Sequence, residues 1–273
     1  MTQEEREKSI NVSKLASRIR ETEVENGSLA LFWLAQAGFV YKLPTGEIIY
    51  VDPYLTDYVH RILPDYGYGF KRIMATPIEV EEVEADYTVS THSHPDHFDA
   101  DAIAVLARNS RVHFIGAPDC EAEYLRLGLA ADRYTILQEG QTLDFGTFTL
   151  TGVYADHGEL APDALGVVLT AGDIKVWQVG DTAYRPDKWQ QVFDLDIDII
   201  VPPINGAFGN LNGVEAAKLA RDARARVVIP CHFWMFVEHD GDPAQFMAAC
   251  KEYAPSVQPM LLGQGELFVY TKR

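Results

Sequence analysis

Three of the eight histidines fall within six residues. They lie in S-T-H-S-H-P-D-H-F-D, which carries His92, His94, Asp96 and His97 directly after the apolar run Y-T-V-S. Two imidazoles two residues apart, followed by a carboxylate and a third imidazole, set four nitrogen and oxygen donors on one turn between a strand and a helix. Such a turn can face two cations side by side, and this mixture of donors suits Zn, Mn or Fe rather than a thiolate-bound metal. A convergent centre needs further donors at other strand ends. His157 follows T-F-T-L-T-G-V-Y-A-D, Asp181 sits in G-D-T after I-K-V-W-Q-V-G, and His232 follows R-V-V-I-P-C. His60, His113 and His239 stand alone and are read as ordinary surface or core histidines. Cys231 precedes His232, so strand alternation points it away from the donors.

The elements that must hold these donors are legible in the hydrophobic texture. Residues 28–53 form two or three strands joined by tight turns, one at Thr45-Gly46, and the meander ends at Asp52-Pro53. A long segment rich in Tyr, Gly and Pro comes next without a clear period; Asp57 to Ile78 is expected to be a functional loop or lid. Beyond Asp86, strand Y-T-V-S, a helix over 98–109, strand V-H-F-I-G, a helix over 118–127 and strand Y-T-I-L alternate. A second β-rich stretch, T-F-T-L-T-G-V-Y-A, A-L-G-V-V-L-T-A-G and I-K-V-W-Q-V-G, is followed by strand I-D-I-I-V-P-P, a helix over 213–223, strand R-V-V-I-P, a helix over 243–253 and strand E-L-F-V-Y. Two similar halves, each a meander leading into β/α alternation, predict an α/β protein in which two sheets pack face to face with helices outside: a four-layer α/β/β/α sandwich. Residues 1–27 form a polar N-terminal arm, helical over 6–20, that packs on the domain or on a neighbouring subunit; 28–273 form the main domain.

Of the 273 residues 47% are apolar and 23% charged, with a formal net charge of −17, the composition of a packed globular protein. The excess of acid disfavours nucleic-acid polymers and anionic membrane surfaces as partners. No apolar leader or 18-residue apolar span is present, and three cysteines without C-x-x-C spacing fit reduced thiols, so a cytoplasmic location is expected.

H-x-H-x-D-H, a lone histidine, G-D-T and a strand-terminal histidine together resemble the metallo-β-lactamase superfamily of binuclear metal hydrolases over residues 28–270. F-W-L-A-Q-A-G-F-V-Y-K-L, V-D-P-Y-L and P-P-I-N-G-A-F-G-N-L-N-G-V-E-A-A-K-L-A-R-D-A-R-A-R-V-V-I-P-C-H-F are most similar to the branch containing L-ascorbate-6-phosphate lactonase. The resemblance implies two divalent ions, Zn or Mn with Fe an alternative. His92, His94 and His157 would hold the first, Asp96, His97 and His232 the second, and Asp181 would bridge them. A carboxylate oxygen on each ion sets them about 3.5–4 Å apart, the separation used in two-metal hydrolysis. Asp96 and Asp181 are the candidate catalytic carboxylates, Asp96 by orienting the attacking water or shuttling its proton. Asp52 resembles the acidic residue that orients a ligating imidazole, with Asp99 and Asp156 as alternatives.

The expected reaction is metal-dependent hydrolysis, first of a small sugar-acid lactone, with or without a phosphate, and second of a small phosphodiester or cyclic nucleotide. Arg61, Lys71 and Arg72 in the 57–78 loop are candidates to receive a phosphate or carboxylate. Asn205 and Tyr184 are candidate donors to a developing oxyanion. The branch it resembles includes hexamers, so homo-oligomerisation is a further expectation.

Overall fold

The structure, a computed structural model, describes residues 14–272. Fourteen strands form two seven-stranded sheets. In the first, β1 (Ser28–Ala35), β2 (Gly38–Lys42) and β3 (Ile48–Val51) make an antiparallel meander. β4 (Tyr87–Ser90), β5 (His113–Gly116) and β6 (Tyr134–Ile136) then add in parallel. The second sheet repeats the plan. β7 (Thr142–Asp144), β8 (Thr149–Tyr154), β9 (Leu165–Ala171) and β10 (Ile174–Gln178) run antiparallel, followed by parallel β11 (Ile199–Val201), β12 (Val227–Val228) and β13 (Gln258–Pro259). The last strand, β14 (Leu267–Thr271), returns to the first sheet beside β1, with Ser28 opposite Thr271.

Every residue of β1, β2 and β3 is buried, as expected of strands covered on both faces. The sheets meet across a polar bridge: the Tyr41 hydroxyl on β2 donates to Gln178 Oε1 on β10 at 2.7 Å, and Gln178 Nε2 donates to the Ala37 carbonyl at 2.8 Å. Helices complete the outer layers, giving the four-layer α/β/β/α sandwich. Those of more than six residues are α1 (Leu15–Glu21), α3 (Ala100–Leu106), α4 (Cys120–Arg126), α6 (Gly213–Asp222) and α7 (Pro243–Tyr253); short α2 (Tyr58–Ile62) and α5 (Gln190–Phe193) lie in connections. Helix α6 begins at a capping box in which Asn212 accepts from the amides of Val214 and Glu215 while Glu215 accepts from that of Asn212. None of the described helices is long and apolar enough to cross a membrane.

Two details differ from the sequence reading. The helix over 98–109 is shorter because the Asp99 side chain accepts from the Ala102 amide and fixes its start at Ala100. Strands β7 and β13 carry too few residues to show a period. Of the arm over 1–27, residues 1–13 lie outside the described residues. Its helix α1 buries Leu15 and Ile19 against the core, and Lys42 Nζ donates to the Ile19 carbonyl at 2.9 Å.

The topology puts the chemistry at one edge. Strands β1, β3 and β4 run one way in the first sheet, and β8, β10, β11 and β12 share one direction in the second. Gln36, Asp52, the His92–His97 turn, His157, Asp181 and His232 all follow the carboxyl ends of these strands.

Candidate metal centre

The turn after β4 is held by side chains that are not themselves donors. Asp119 accepts from the Ser93 amide and hydroxyl at 2.9 and 2.8 Å, and Ser90 Oγ donates to the His97 carbonyl at 3.3 Å. On this frame His94 Nδ1 lies 3.0 Å from His92 Nε2 and 3.3 Å from His157 Nε2. A second set adjoins it. His97 Nε2 is 3.1 Å from His232 Nε2, 3.4 Å from Asp181 Oδ1 and 3.6 Å from Asp96 Oδ2. His232 Nε2 is 3.3 Å from both Asp96 Oδ2 and Asp181 Oδ2. Asp181 Oδ2 also lies 3.8 Å from His157 Nε2, so this carboxylate stands between the two sets.

The electrostatics are those of a cation site. Burial alone would raise the Asp96 carboxyl, but His97, His232 and His239 outweigh it and hold it well below the usual carboxylate range. Burial opposes ionisation of Asp181 too, and His232 and His97 overcome it in the same way. Burial, reinforced by His97, pushes His92 well below the usual imidazole range, and burial lowers His157. His97 goes the other way: Asp181, Asp96 and Asp52 overcome its burial and raise it well above the ordinary value. The carboxylates are held ionised and His92 and His157 neutral, while His97 carries the charge that a divalent cation at these donors would replace. The donor atoms fall into compact groups, His92, His94 and His157, then His92, His97 and Asp181, then Asp96, His232 and His239, and this imidazole and carboxylate set fits divalent metal ions.

Asp52 is fully buried and accepts from the Thr91 amide at 2.8 Å, the Thr91 hydroxyl at 2.7 Å and His97 Nδ1 at 2.9 Å. It fixes the tautomer that turns the His97 Nε2 lone pair toward the other donors. Asp99 and Asp156 do not do this work. Asp99 caps α3 and accepts from the amides of Leu55 and Thr56, while Asp156 pairs with Arg185.

Other expectations are corrected. His239 is not an isolated histidine. Together with Asp96 and His232 it forms a third compact donor group, and burial next to His232 lowers it to about 3. Gln36, which stands in F-W-L-A-Q-A-G-F-V-Y-K-L but received no role from the sequence, has its Nε2 2.7 Å from Asp96 Oδ2, 3.1 Å from His232 Nε2 and 3.0 Å from His239 Nδ1. Asn210, likewise within a quoted segment but given no role there, donates through Nδ2 to Asp181 Oδ2 at 2.7 Å. The backbones of Gln36, Asp52 and His232 are left-handed, with φ of 50°, 47° and 61°. Non-glycine residues in that region concentrate where function fixes the chain, so the signal for Gln36 lies in the backbone and not in residue order.

Above the donors opens a cavity of about 320 Å³ whose floor includes His94, Asp96, His157, Asp181 and His239. The candidate cations of the 57–78 loop do not line it. Arg61 reaches outward to Asp101 at 2.6 Å, Arg72 donates to the carbonyls of Tyr54 and Thr56 at 3.1 and 3.0 Å, and Lys71 is exposed elsewhere. Tyr184 is turned away as well, its hydroxyl bonded to Asp222 on α6 at 2.5 Å. Asn205 lines a neighbouring cavity of about 710 Å³ that shares Phe236 and His239 with the first. His60 and His113 have local partners, the Gly69 carbonyl at 2.6 Å and the Thr135 hydroxyl at 2.9 Å.

Residues 30–232 match the family described as the Beta-lactamase superfamily domain. A UPF0173 metal-dependent hydrolase of Archaeoglobus fulgidus is 28% identical, covering 89% of this chain and 100% of the relative, and one of Cupriavidus necator is 29% identical over 82% and 80%. Among solved structures, a metallo hydrolase from Ignicoccus hospitalis superposes with a TM-score of 0.70 at 19% identity, covering 90% of this chain and 100% of that one. An isothiocyanate hydrolase from Delia radicum gut bacteria superposes with a TM-score of 0.72 at 17% identity over 89% and 99%.

Proposed function

The chain belongs to the β-lactamase superfamily, and from that premise we propose that it is a hydrolase working with two divalent metal ions on a neutral, polarised carbonyl, with a lactone or ester as substrate. One observation carries the reading: seven imidazole and carboxylate donors from both sheets converge at one edge of the sandwich with Asp181 between two sets, and four of them, His94, Asp96, His157 and Asp181, line one cavity. Metal-dependent hydrolases among the relatives support it. Bound divalent ions would supply the positive charge that acidifies water and polarises the carbonyl oxygen.

The chain's own residues do the rest. Asp181 spans the two donor sets while Asn210 Nδ2 holds its Oδ2. Asp52 keeps the proton of His97 on Nδ1, away from the other donors. Asp96, held ionised and lining the cavity, is placed to take a proton from the attacking water and return it to the departing alkoxide. Among the described residues no Lys or Arg lines the cavity, which favours a carbonyl over a phosphodiester.

The test is metal analysis joined to turnover of lactones, p-nitrophenyl esters and bis(p-nitrophenyl) phosphate. Two equivalents of metal, carbonyl turnover abolished by chelation, and loss of both metal and activity in Asp181→Ala are expected. Faster cleavage of the phosphodiester, or inactivity of the loaded protein across the carbonyl panel, would overturn the assignment.

A further inference from the structure

The cavity above the donors has a wall made of carbon. Tyr66 and Phe70 stack with centroids 5.1 Å apart, and Phe208 meets them at 6.4 and 6.1 Å. Phe70 packs edge-on against Phe236 at 5.4 Å, and Phe208 and Phe236 both abut His239, at 5.5 and 5.1 Å. Leu63 and Leu160 complete the mouth. The aromatic surface thus runs without a break from the rim to the donor cluster.

Two features distinguish this wall from ordinary packing. Leu63, Tyr66, Leu160 and Phe208 are 39%, 51%, 57% and 36% exposed, a clustered apolar surface of the kind that marks a binding site. Phe208 also holds a left-handed backbone, φ 54°, which is strained for a bulky residue and points to a side chain kept in place. Among the described residues the charged side chains on the lining are the donors Asp96 and Asp181, while Arg61 and Arg72 are committed elsewhere. An anionic substituent beside the reacting centre would meet carbon on one side and carboxylates on the other.

We propose that the substrate carries an uncharged apolar group, a phenyl ring or an alkyl chain of about six carbons, seated on the wall formed by Tyr66, Phe70 and Phe208, with its reacting carbonyl over the donor cluster. This rests on the hydrolase reading above. The cavity's 320 Å³ lies at the lower end of the range for small-molecule sites, which limits the occupant to a small acyl or aryl compound. In the reaction the acyl carbon gains a bond to water oxygen and loses its bond to the alkoxide. One water proton passes through Asp96 to the alkoxide, leaving a carboxylate, an alcohol and a second proton.

The experiment uses the metal-loaded full chain and separates occupancy from chemistry. The kcat/KM for p-nitrophenyl acetate, butyrate and hexanoate is measured beside calorimetric binding of acetate, butyrate and hexanoate. Both series are expected to rise by about fourfold per methylene until the cavity is filled. Phe208→Ala should flatten both slopes, whereas Tyr68→Ala, on an exposed side chain outside the lining, should change neither. A binding gradient without ester turnover sinks the hydrolase reading and leaves the apolar seat standing. Turnover with flat slopes, or a preference for a phosphorylated or carboxylated substrate over its neutral analogue, overturns the apolar seat itself.

Discussion

Asp52→Asn is the sharpest probe of how the centre is tuned, because it changes one atom of a fully buried side chain. The carboxylate accepts three hydrogen bonds: from the Thr91 amide, the Thr91 hydroxyl and His97 Nδ1. Asparagine preserves the shape and one acceptor, but its amide nitrogen then faces His97 Nδ1. Two donors cannot share that contact, so His97 must present a lone pair there and move its proton to Nε2. That nitrogen is the one 3.1 Å from His232 Nε2 and 3.4 Å from Asp181 Oδ1, and a protonated nitrogen cannot ligate. A hydrogen bond to a charged group is worth about 1.5–3 kcal/mol, and loss of such a supporting partner costs roughly 10–100-fold in metal affinity. Of His92, His94 and His157 none touches Asp52, and only His92 is linked to it at one remove, its Nδ1 lying 3.2 Å from the Thr91 hydroxyl, so the larger weakening should fall on one of two ions. Titration with zinc against a chromophoric chelator reads this directly: wild type should hold two equivalents tightly, and Asp52→Asn one tightly and one about 10–100-fold more weakly. Near-ultraviolet circular dichroism verifies that packing survives. Two unchanged affinities would refute the tautomer argument, and equal weakening of both ions would refute the separation into two sets.

Other contacts give further expected outcomes. Gln36→Ala removes the amide shared by Asp96, His232 and His239, and should weaken metal retention by about tenfold in the same chelator titration. Tyr184→Phe removes the bond to Asp222, so urea denaturation should show a loss of about 1 kcal/mol while kcat/KM stays at wild-type level; a large kinetic effect would restore Tyr184 to the site. Cys120, Cys231 and Cys250 are buried, and burial pushes all three thiols up, Cys250 to about 12. A thiol-reactive disulfide reagent at pH 8 should label none of them until denaturant is added.

The donor turn could be read from residue order because a strand end fixes the direction in which the next turn leaves the sheet. His92, His94, Asp96 and His97 sit on one turn, and His157, Asp181 and His232 each come after an apolar strand, so type and position announced them together. His239 lies seven residues past His232 in an irregular segment, where no period tells which way a ring points. Gln36 lies in the hairpin turn between β1 and β2, and the left-handed backbone at Ala35 and Gln36 swings its side chain into the centre. The 57–78 loop shows both cations and aromatics in the sequence. Tertiary packing decides between them: guanidinium groups found carboxylate and carbonyl partners outside the cavity, leaving Tyr66 and Phe70 to face it. The sandwich itself could be inferred from meander and alternation, whereas the return of β14 to the first sheet has no local signal.

That return has a consequence for production of the chain. Strand β1, S-L-A-L-F-W-L-A, is buried throughout, and one of its hydrogen-bonding edges is covered by Leu267–Thr271, translated more than two hundred residues later. Until those residues leave the ribosome, a long apolar strand has an open edge able to pair with a neighbouring nascent chain. The risk of aggregation therefore lasts until β14 emerges, and a chain cut ahead of Leu267 would leave this edge adhesive rather than merely less stable.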